Sequence, residues 1–326
     1  VPGTWVPAVH ANCVHNEIAA LAWRSLAPLP KGPDPGISPG VSRMFGRLRQ
    51  LASAYRGVPW SYLKTAESYS GAMRRRYLEA ERSLREDGPL SKRDSLLRAF
   101  LKAEKCGSDK DAKPRMIFPR SPRFNLVVAS WLKPLEHFLW GYLTAKRLFG
   151  GSNTRVVGKG LSPRARANLI IRKFGGFRDC VVFEVDGKAF EAHCVESLIA
   201  EEHRIYSSAY PGDGFLRSVL KRQVFSGVSQ GGVKFSRRGG RASGDFNTGM
   251  GNTLIMLAVV SAVLGSYAIK FDILVDGDNA LVFLERADYP SVESRFFTDV
   301  LEASGFEMTL ESPVDFIEGV RFGRSA

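Results

Sequence analysis

Residues 269–284 read IKFDILVDGDNALVFL. Ile269–Val275 is apolar and β-prone, Ala280–Leu284 is apolar again, and Asp276-Gly277-Asp278-Asn279 between them is turn chemistry. An Asp-Gly between two apolar runs predicts a β-hairpin, here with Asp278 at its tip. A second β-type run, Cys180–Val185, leads straight into Asp186. If these strands are neighbours in one sheet, the two carboxylates converge at one edge. Two hard oxygen ligands on rigid strands suit Mg²⁺, which usually takes one or two carboxylates plus substrate phosphates.

Working outward from the hairpin, the segment before it predicts a long helix from Asn247 or Thr248 to about Ser266. The apolar stretch Leu254–Ile269 is interrupted by Ser261, Gly265 and Ser266, falls short of a membrane span and reads as a buried core helix. After the hairpin, Pro290 and Gly305 bracket another helix. Two short strands, Phe306–Leu310 and Phe316–Phe322, are expected to follow. A helix from about Phe190 to Tyr206 is expected after Asp186. The glycine-rich, basic stretch SGVSQGGVKFSRRGGRASG, residues 226–244, reads as a flexible loop over an anionic ligand.

Nearer the N-terminus, PLPKGPDPGISPG, residues 28–40, reads as an extended linker between an N-terminal piece and the body. Val41 to Leu101 is mostly helical in pattern and rich in arginine. Residues 102–123 form a basic, Pro-punctuated loop or hairpin. Ser121-Pro122 pairs an N-cap with proline at the first helical position. The helix it opens, to about Tyr142, carries Trp131, Leu135, Phe138 and Leu139 at helical spacing, an aromatic stripe that reads as core.

The 326 residues carry 46 Lys plus Arg against 33 Asp plus Glu, a formal charge of +13. With 44% hydrophobic residues, wholesale disorder is excluded. The basic excess favours a polyanionic partner, most often nucleic acid. Four cysteines, at 13, 106, 180 and 194, form no C-x-x-C pair, which argues against a zinc site or a disulfide framework. The first residue is Val1, and no signal segment follows it.

Chemistry concentrates in four stretches. RASGDFNTGMGNT, Arg241–Thr253, is a polar, Gly-rich loop entering a helix, able to present hydroxyls and an amide to a ribose and a base. KPRMIFPRSPRFN, Lys113–Asn125, is basic. FEVDGKAFEAH, Phe183–His193, holds Asp186, and LVDGDNALVF, Leu274–Phe283, holds Asp278. In chain order they resemble motifs F, A, B and C of a viral RNA-dependent RNA polymerase, with Lys113–Asn125 as F, Phe183–His193 as A, Arg241–Thr253 as B and Leu274–Phe283 as C. The likeness is strongest to the tombusvirus-like positive-strand RNA viruses. EEHRIY, Glu201–Tyr206, matches that family's next helix, and Ala303–Phe322 resembles motifs D and E. The resemblance covers roughly residues 96–326 and, more faintly, VHNEIAALAWR, Val14–Arg24.

The resemblance implies an α+β right-hand polymerase fold with an antiparallel palm sheet backed by helices. Residues 1–40 are expected as an N-terminal extension and linker. Residues 41–178 would be fingers, and 179–326 a palm with a fingers insertion near 207–240; the family's thumb would be missing. It also implies template-directed RNA synthesis from NTPs with two Mg²⁺ or Mn²⁺ ions. Asp186 and Asp278 would bind metal, with Asn279 beside them in the catalytic turn. Lys105, Lys113, Arg115 and Arg120 would hold the triphosphate, and Glu191, Ser243, Thr248 and Asn252 the rest of the nucleotide. Gly244, Arg237, Arg238 and Arg241 would meet RNA. Implied partners are template and nascent RNA, NTPs, a C-terminal thumb segment, and a replication cofactor or membrane-anchoring segment on another piece. The implied location is membrane-associated replication complexes in the host cytoplasm.

Four positions depart from the family pattern. Glu191 stands where the family has a second motif A Asp, and Asn279 gives Gly-Asp-Asn in place of Gly-Asp-Asp. Thr309 lies near the usual motif D lysine, and Phe322-Gly323-Arg324 replaces Phe-Cys-Gln. Two other functions remain open from sequence. One is a decayed polymerase fold that only binds RNA, separable by testing for NTP and metal binding. The other is a reverse transcriptase, marked by a preference for dNTPs.

Overall fold

The computed structural model describes residues 8–106 and 113–322. Ten strands in these residues form three sheets. They are β1 (Ala8–Val9), β2 (Leu97–Leu101), β3 (Lys105–Cys106), β4 (Met116–Ile117), β5 (Cys180–Gly187), β6 (Phe225–Ser229), β7 (Lys234–Arg237), β8 (Phe271–Asp276), β9 (Asn279–Glu285) and β10 (Met308–Leu310). The order β10-β5-β9-β8 makes a fully antiparallel sheet, β4-β2-β6-β7 a second sheet, and β1-β3 a short pair.

The first sheet follows from period-2 patterning, since successive side chains on a strand point to opposite faces. Val181, Phe183 and Val185 of β5 join Ile273, Val275, Ala280 and Val282 in the main core. Cys180 and Val182 turn the other way, with Leu274, Leu281 and Phe283, into a second core under Val320 and Phe322. Both faces are covered, so the strands read as continuous apolar runs. Thr248–Ser266 is the main backing helix, and most of its residues are buried. It is long and apolar enough to cross a membrane by length and composition, but 78% of its apolar window lies inside the protein. Helices Pro39–Ala52 and Glu196–Ala209 pack beside it.

The second sheet is non-local. β6 runs parallel to β2, with Leu97 opposite Gly227, and β7 folds back antiparallel on β6. The stretch expected as a flexible loop is therefore largely a hairpin, with Gly232 at φ +88° in its turn. A Cβ at Gly227 would sit 2.2 Å from the Leu97 carbonyl oxygen, so only glycine permits this approach. Gly227→Ala is expected to cost about 1–3 kcal/mol or more through overpacking, read as a lowered denaturation midpoint.

Two other expectations are corrected. The helix over 190–206 is broken into Phe190–His193 and Glu196–Ala209. The cause is tertiary: the carbonyls of Glu191 and Cys194 accept from the N–H groups of Arg241 and Gly240, at 2.8 and 2.7 Å, instead of continuing a helix. The strand over 316–322 is absent; Ile317–Gly319 is a 3₁₀ turn. The N–H groups of Gly319 and Val320 donate to the Phe316 and Ile317 carbonyls, both at 3.2 Å, and so close local turns instead of a ladder. The linker at 28–40 runs pinned to the body, where Ser38 N–H donates to the Ala303 carbonyl at 2.8 Å and Asp34 accepts from Ser197. By contrast, Pro122–Tyr142 forms as expected, with the Ser121 hydroxyl capping it and Trp131, Leu135 and Leu139 buried.

Candidate active site

The hairpin and β5 meet as the strand chemistry predicts. β8 and β9 turn at Gly277, whose φ of +68° favours glycine, and Asp186 lies opposite Asn279 in register. The Gly277 N–H donates to the Thr253 hydroxyl at 2.9 Å, which ties the turn to the main core helix. Asp186, Asp278 and Asn279 line one cavity of about 850 Å³, and Glu191 closes in from the short helix Phe190–His193. Lys102 and Arg115, both paired with Glu104, line the same cavity. Thr309 on β10 pairs with Asp186.

The acids feel one another. Burial first, then the negative charges of Glu191 and Asp186, push the Asp278 carboxyl above its ordinary range, against its own backbone N–H and Lys159. Asp276, in contrast, is held by Lys159 at 3.0 Å and by Arg166, and so serves the turn. No group of three or more His, Cys, Asp or Glu among the described residues is placed to hold a metal ion by itself. Asp186 and Asp278 are hard oxygen donors whose mutual repulsion a divalent cation would relieve. Together they fit an ion that completes its shell with water and substrate phosphate.

The remaining expected site residues separate into two sets. Ser243 faces a small adjoining cavity of about 60 Å³ also lined by Glu191 and Arg115, and its buried hydroxyl has no hydrogen-bond partner. Lys113 is exposed, and Lys105 lies in β3, its side chain outside the described residues. Arg238 is exposed beside Glu196 at 3.2 Å. The others turn inward. Arg120, expected at the triphosphate, is 3% exposed and is engaged by Asp245 at 2.7 Å and by the Ser95 and Val224 carbonyls. Arg241, expected against RNA, is likewise buried, where Glu202 binds it through both carboxylate oxygens. Burial works against both charges of that pair, but their mutual attraction keeps Glu202 ionised and Arg241 charged.

Arg241 Nε also donates to Asn252 Oδ1 at 3.0 Å, which fixes the orientation of the buried amide. The Thr248 hydroxyl is spent on the Ala242 and Asp245 carbonyls, at 2.8 and 2.9 Å, and Arg237 donates to the Ser25 carbonyl at 2.8 Å. Gly244 is a packing requirement: a Cβ there would lie 2.5 Å from Pro119 Cα. Phe322 is buried, while Gly323 and Arg324 lie outside the described residues.

Sequence reasoning missed Lys102 and Arg24 as cavity residues, and Glu202 as the partner of Arg241. The faint likeness over Val14–Arg24 was the one signal for Arg24. Nothing in spacing brings it to a cavity whose aspartates lie more than 160 residues downstream.

A carboxylate pair at a strand edge and hairpin tip thus shares one cavity with cationic side chains. The family model described as viral RNA dependent RNA polymerase matches residues 9–326. The chain belongs to that family, the viral RNA-dependent RNA polymerases, and its relatives are of the tombusvirus type. It is 32% identical to the RNA-directed RNA polymerase of Red clover necrotic mosaic virus, over 97% of this chain and 42% of that protein. It is 31% identical to that of Tobacco necrosis virus (strain A), over 87% and 39%, and 30% identical to that of Tomato bushy stunt virus (strain Cherry), over 96% and 39%. The chain thus spans about two fifths of the length of these relatives.

Proposed function

We propose that this chain carries out template-directed RNA synthesis, joining nucleotides from NTPs to an RNA 3′-OH during replication of a viral genome. The observation that carries this reading is the pairing of Asp186 with the Asp278–Asn279 turn in one cavity that Lys102 and Arg115 also line. Family membership supports it. The alternative of a decayed RNA binder is not favoured by any observation, and the relatives are named as polymerases.

In this reading the antiparallel sheet and its helices, residues 179–326, are a palm. Residues 41–178 with the inserted hairpin near 207–240 are fingers, and the N-terminal segment packs on them. Asp186 and Asp278 would hold Mg²⁺ or Mn²⁺. Bound ions would supply Lewis-acid stabilisation to the attacking and leaving oxygens. Asn279 is neutral and adds one oxygen at most, so the charge at the site rests on the two aspartates and Glu191. Arg115 and Lys113 face the polyphosphate, a planar fork and a mobile point charge suited to spread phosphate charge. Ser243, with its unspent hydroxyl, and Asn252, with its oriented amide, address the ribose beside Glu191, and the 2′-OH is the group to be read there. Rate comes mainly from positioning and electrostatics. The template and product RNA are polyanions that match the basic surface, and the work belongs at membrane-bound replication complexes in the host cytoplasm.

The test is primer extension on an RNA template with labelled NTPs, in Mg²⁺ and in Mn²⁺, for wild type and Asp186→Ala. It is run with this chain and with any sequence encoded beyond residue 326. Extension by wild type that vanishes in Asp186→Ala is the expected result. Equal extension by both, or a folded, RNA-binding wild type that extends nothing in either form, would overturn the reading.

A further inference from the structure

Residues 155–166 lie outside the four motif stretches, yet they run along the catalytic turn. β8 is the edge strand of its sheet, and residues 156–158 lie against it. Val157 pairs in parallel with Val275. The Val275 N–H donates to the Val156 carbonyl and the Gly158 N–H to the Val275 carbonyl, both at 2.8 Å. The Arg155 guanidinium donates to the Val157 and Lys159 carbonyls and so sets the bend that follows. A Cβ at Gly158 would stand 3.3 Å from the Phe322 ring and 3.6 Å from Asp276 Cβ, so this strap lies close on the turn.

Two cations reach from the strap and the helix after it to one carboxylate. Lys159 Nζ lies 3.0 Å from Asp276 Oδ1, and Arg166, on the helix Pro163–Phe174, holds Oδ2. The Lys159 stem crosses the first turn of the core helix, where a Cβ at Gly249 would stand 2.9 Å from its Cε. With one cation on each oxygen, the Asp276 carboxylate is fixed in orientation as well as place. Asp276 opens the turn and pairs with Asn279 at its close, and Asp278 stands between them. Gly277, at φ +68°, gives the turn no side chain of its own to pack. Its shape therefore depends on the bonds made to it: the Thr253 hydroxyl on one side and the Lys159–Asp276–Arg166 triad on the other. Neither cation lines the cavity that holds Asp186 and Asp278, so both act through Asp276.

We propose that Lys159 and Arg166 are positioning residues for nucleotide incorporation, which grip Asp276 and thereby set the carboxylate of Asp278; this rests on the polymerase reading above. The magnitudes separate this role from a structural one. Ion pairs that solvent reaches add little to stability. A misplacement of about 1 Å at the reacting groups can cost about a hundredfold in rate.

The experiment is single-nucleotide incorporation in the primer-extension assay above, with thermal melts, for wild type, Lys159→Met, Lys159→Arg, Asp276→Asn and the double variant Lys159→Met with Asp276→Asn. Lys159→Met is expected to lower kcat about ten- to a hundredfold while KM for the NTP stays within about twofold. The melting temperature should move by no more than about 4 °C. Lys159→Arg should recover much of kcat. The Lys159 charge also lowers the Asp278 pKa, and Asp276→Asn keeps that charge, so the asparagine variant tests the grip alone. It should lose kcat as well, and the double variant should lose little more than either single one, because the residues act as a unit. An unchanged kcat in Lys159→Met, full activity in Asp276→Asn, losses that multiply in the double variant, or a loss carried by KM would overturn the proposal while leaving the polymerase reading intact. A folded wild type that extends no primer would overturn both.

Discussion

Asp278→Asn is expected to abolish nucleotide incorporation and, in buffer without divalent ions, to raise the melting temperature at pH 8. The two effects share one cause. Asp278 is a partly buried carboxylate beside Asp186 and Glu191, and its pKa is pushed up by burial and by those two charges. A carboxyl whose folded-state pKa lies above its unfolded value stabilises the fold fully only below the unfolded value. That contribution is lost as pH rises through the folded value. At pH 8 wild type therefore carries the repulsion in full. The amide is neutral at every pH, so the variant's stability curve should be flatter over this window and higher at its alkaline end. Mg²⁺ should stabilise wild type by mass action and the variant much less. Incorporation should fall at least about a thousandfold, the scale of losing an electrostatic group on the reacting oxygens. Thermal melts from pH 4 to 8, with and without Mg²⁺, beside primer extension, measure both halves. A variant no more stable than wild type at pH 8 would remove the repulsion argument, and full extension would remove Asp278 from the chemistry.

Lys173→Met should have the largest effect on stability, about 3–5 kcal/mol, because it breaks a fully buried ion pair and leaves one charge behind. Lys173 is 1% exposed, and its ammonium lies 2.6 Å from Asp272 Oδ1 and 2.8 Å from the Thr154 hydroxyl. Asp272 Oδ2 accepts from Ser152 at 2.6 Å and Thr154 at 3.0 Å. Burial lowers the Lys173 pKa, against the pull of Asp272, so its charge depends on that partner. Without the ammonium, Asp272 keeps hydroxyl donors but no countercharge. Because the pair joins the helix Pro163–Phe174 to β8, the loss falls on the sheet that presents Asp278. The double change Lys173→Met with Asp272→Leu should recover much of it, since replacing a whole buried pair by apolar groups is often near neutral. Urea denaturation of the single and double variants decides this; a loss under about 1 kcal/mol for Lys173→Met would show the pair to be solvated.

The relation between sequence and structure is uneven for a physical reason. The sequence by itself determined the parts whose signals are local. The apolar runs Cys180–Val185 and Ile269–Val275, the left-handed turn at Gly277 and the Ser121 cap are each decided within a few residues. So is the solid apolarity of Thr248–Ser266, and together they put Asp186 and Asp278 within reach of one another. What remained was settled by groups far apart in the chain competing for the same atoms. Whether an arginine meets phosphate or carboxylate depends on what folds against it. Arg120 found Asp245, 125 residues on, and Arg241 found Glu202, 39 residues back. Thr248 spent its hydroxyl on loop carbonyls, and the loop at 239–241 took the carbonyls that a helix through Cys194 needed. Spacing can say which residues carry charge, but only the tertiary structure decides which charges are already neutralised and which still face the cavity.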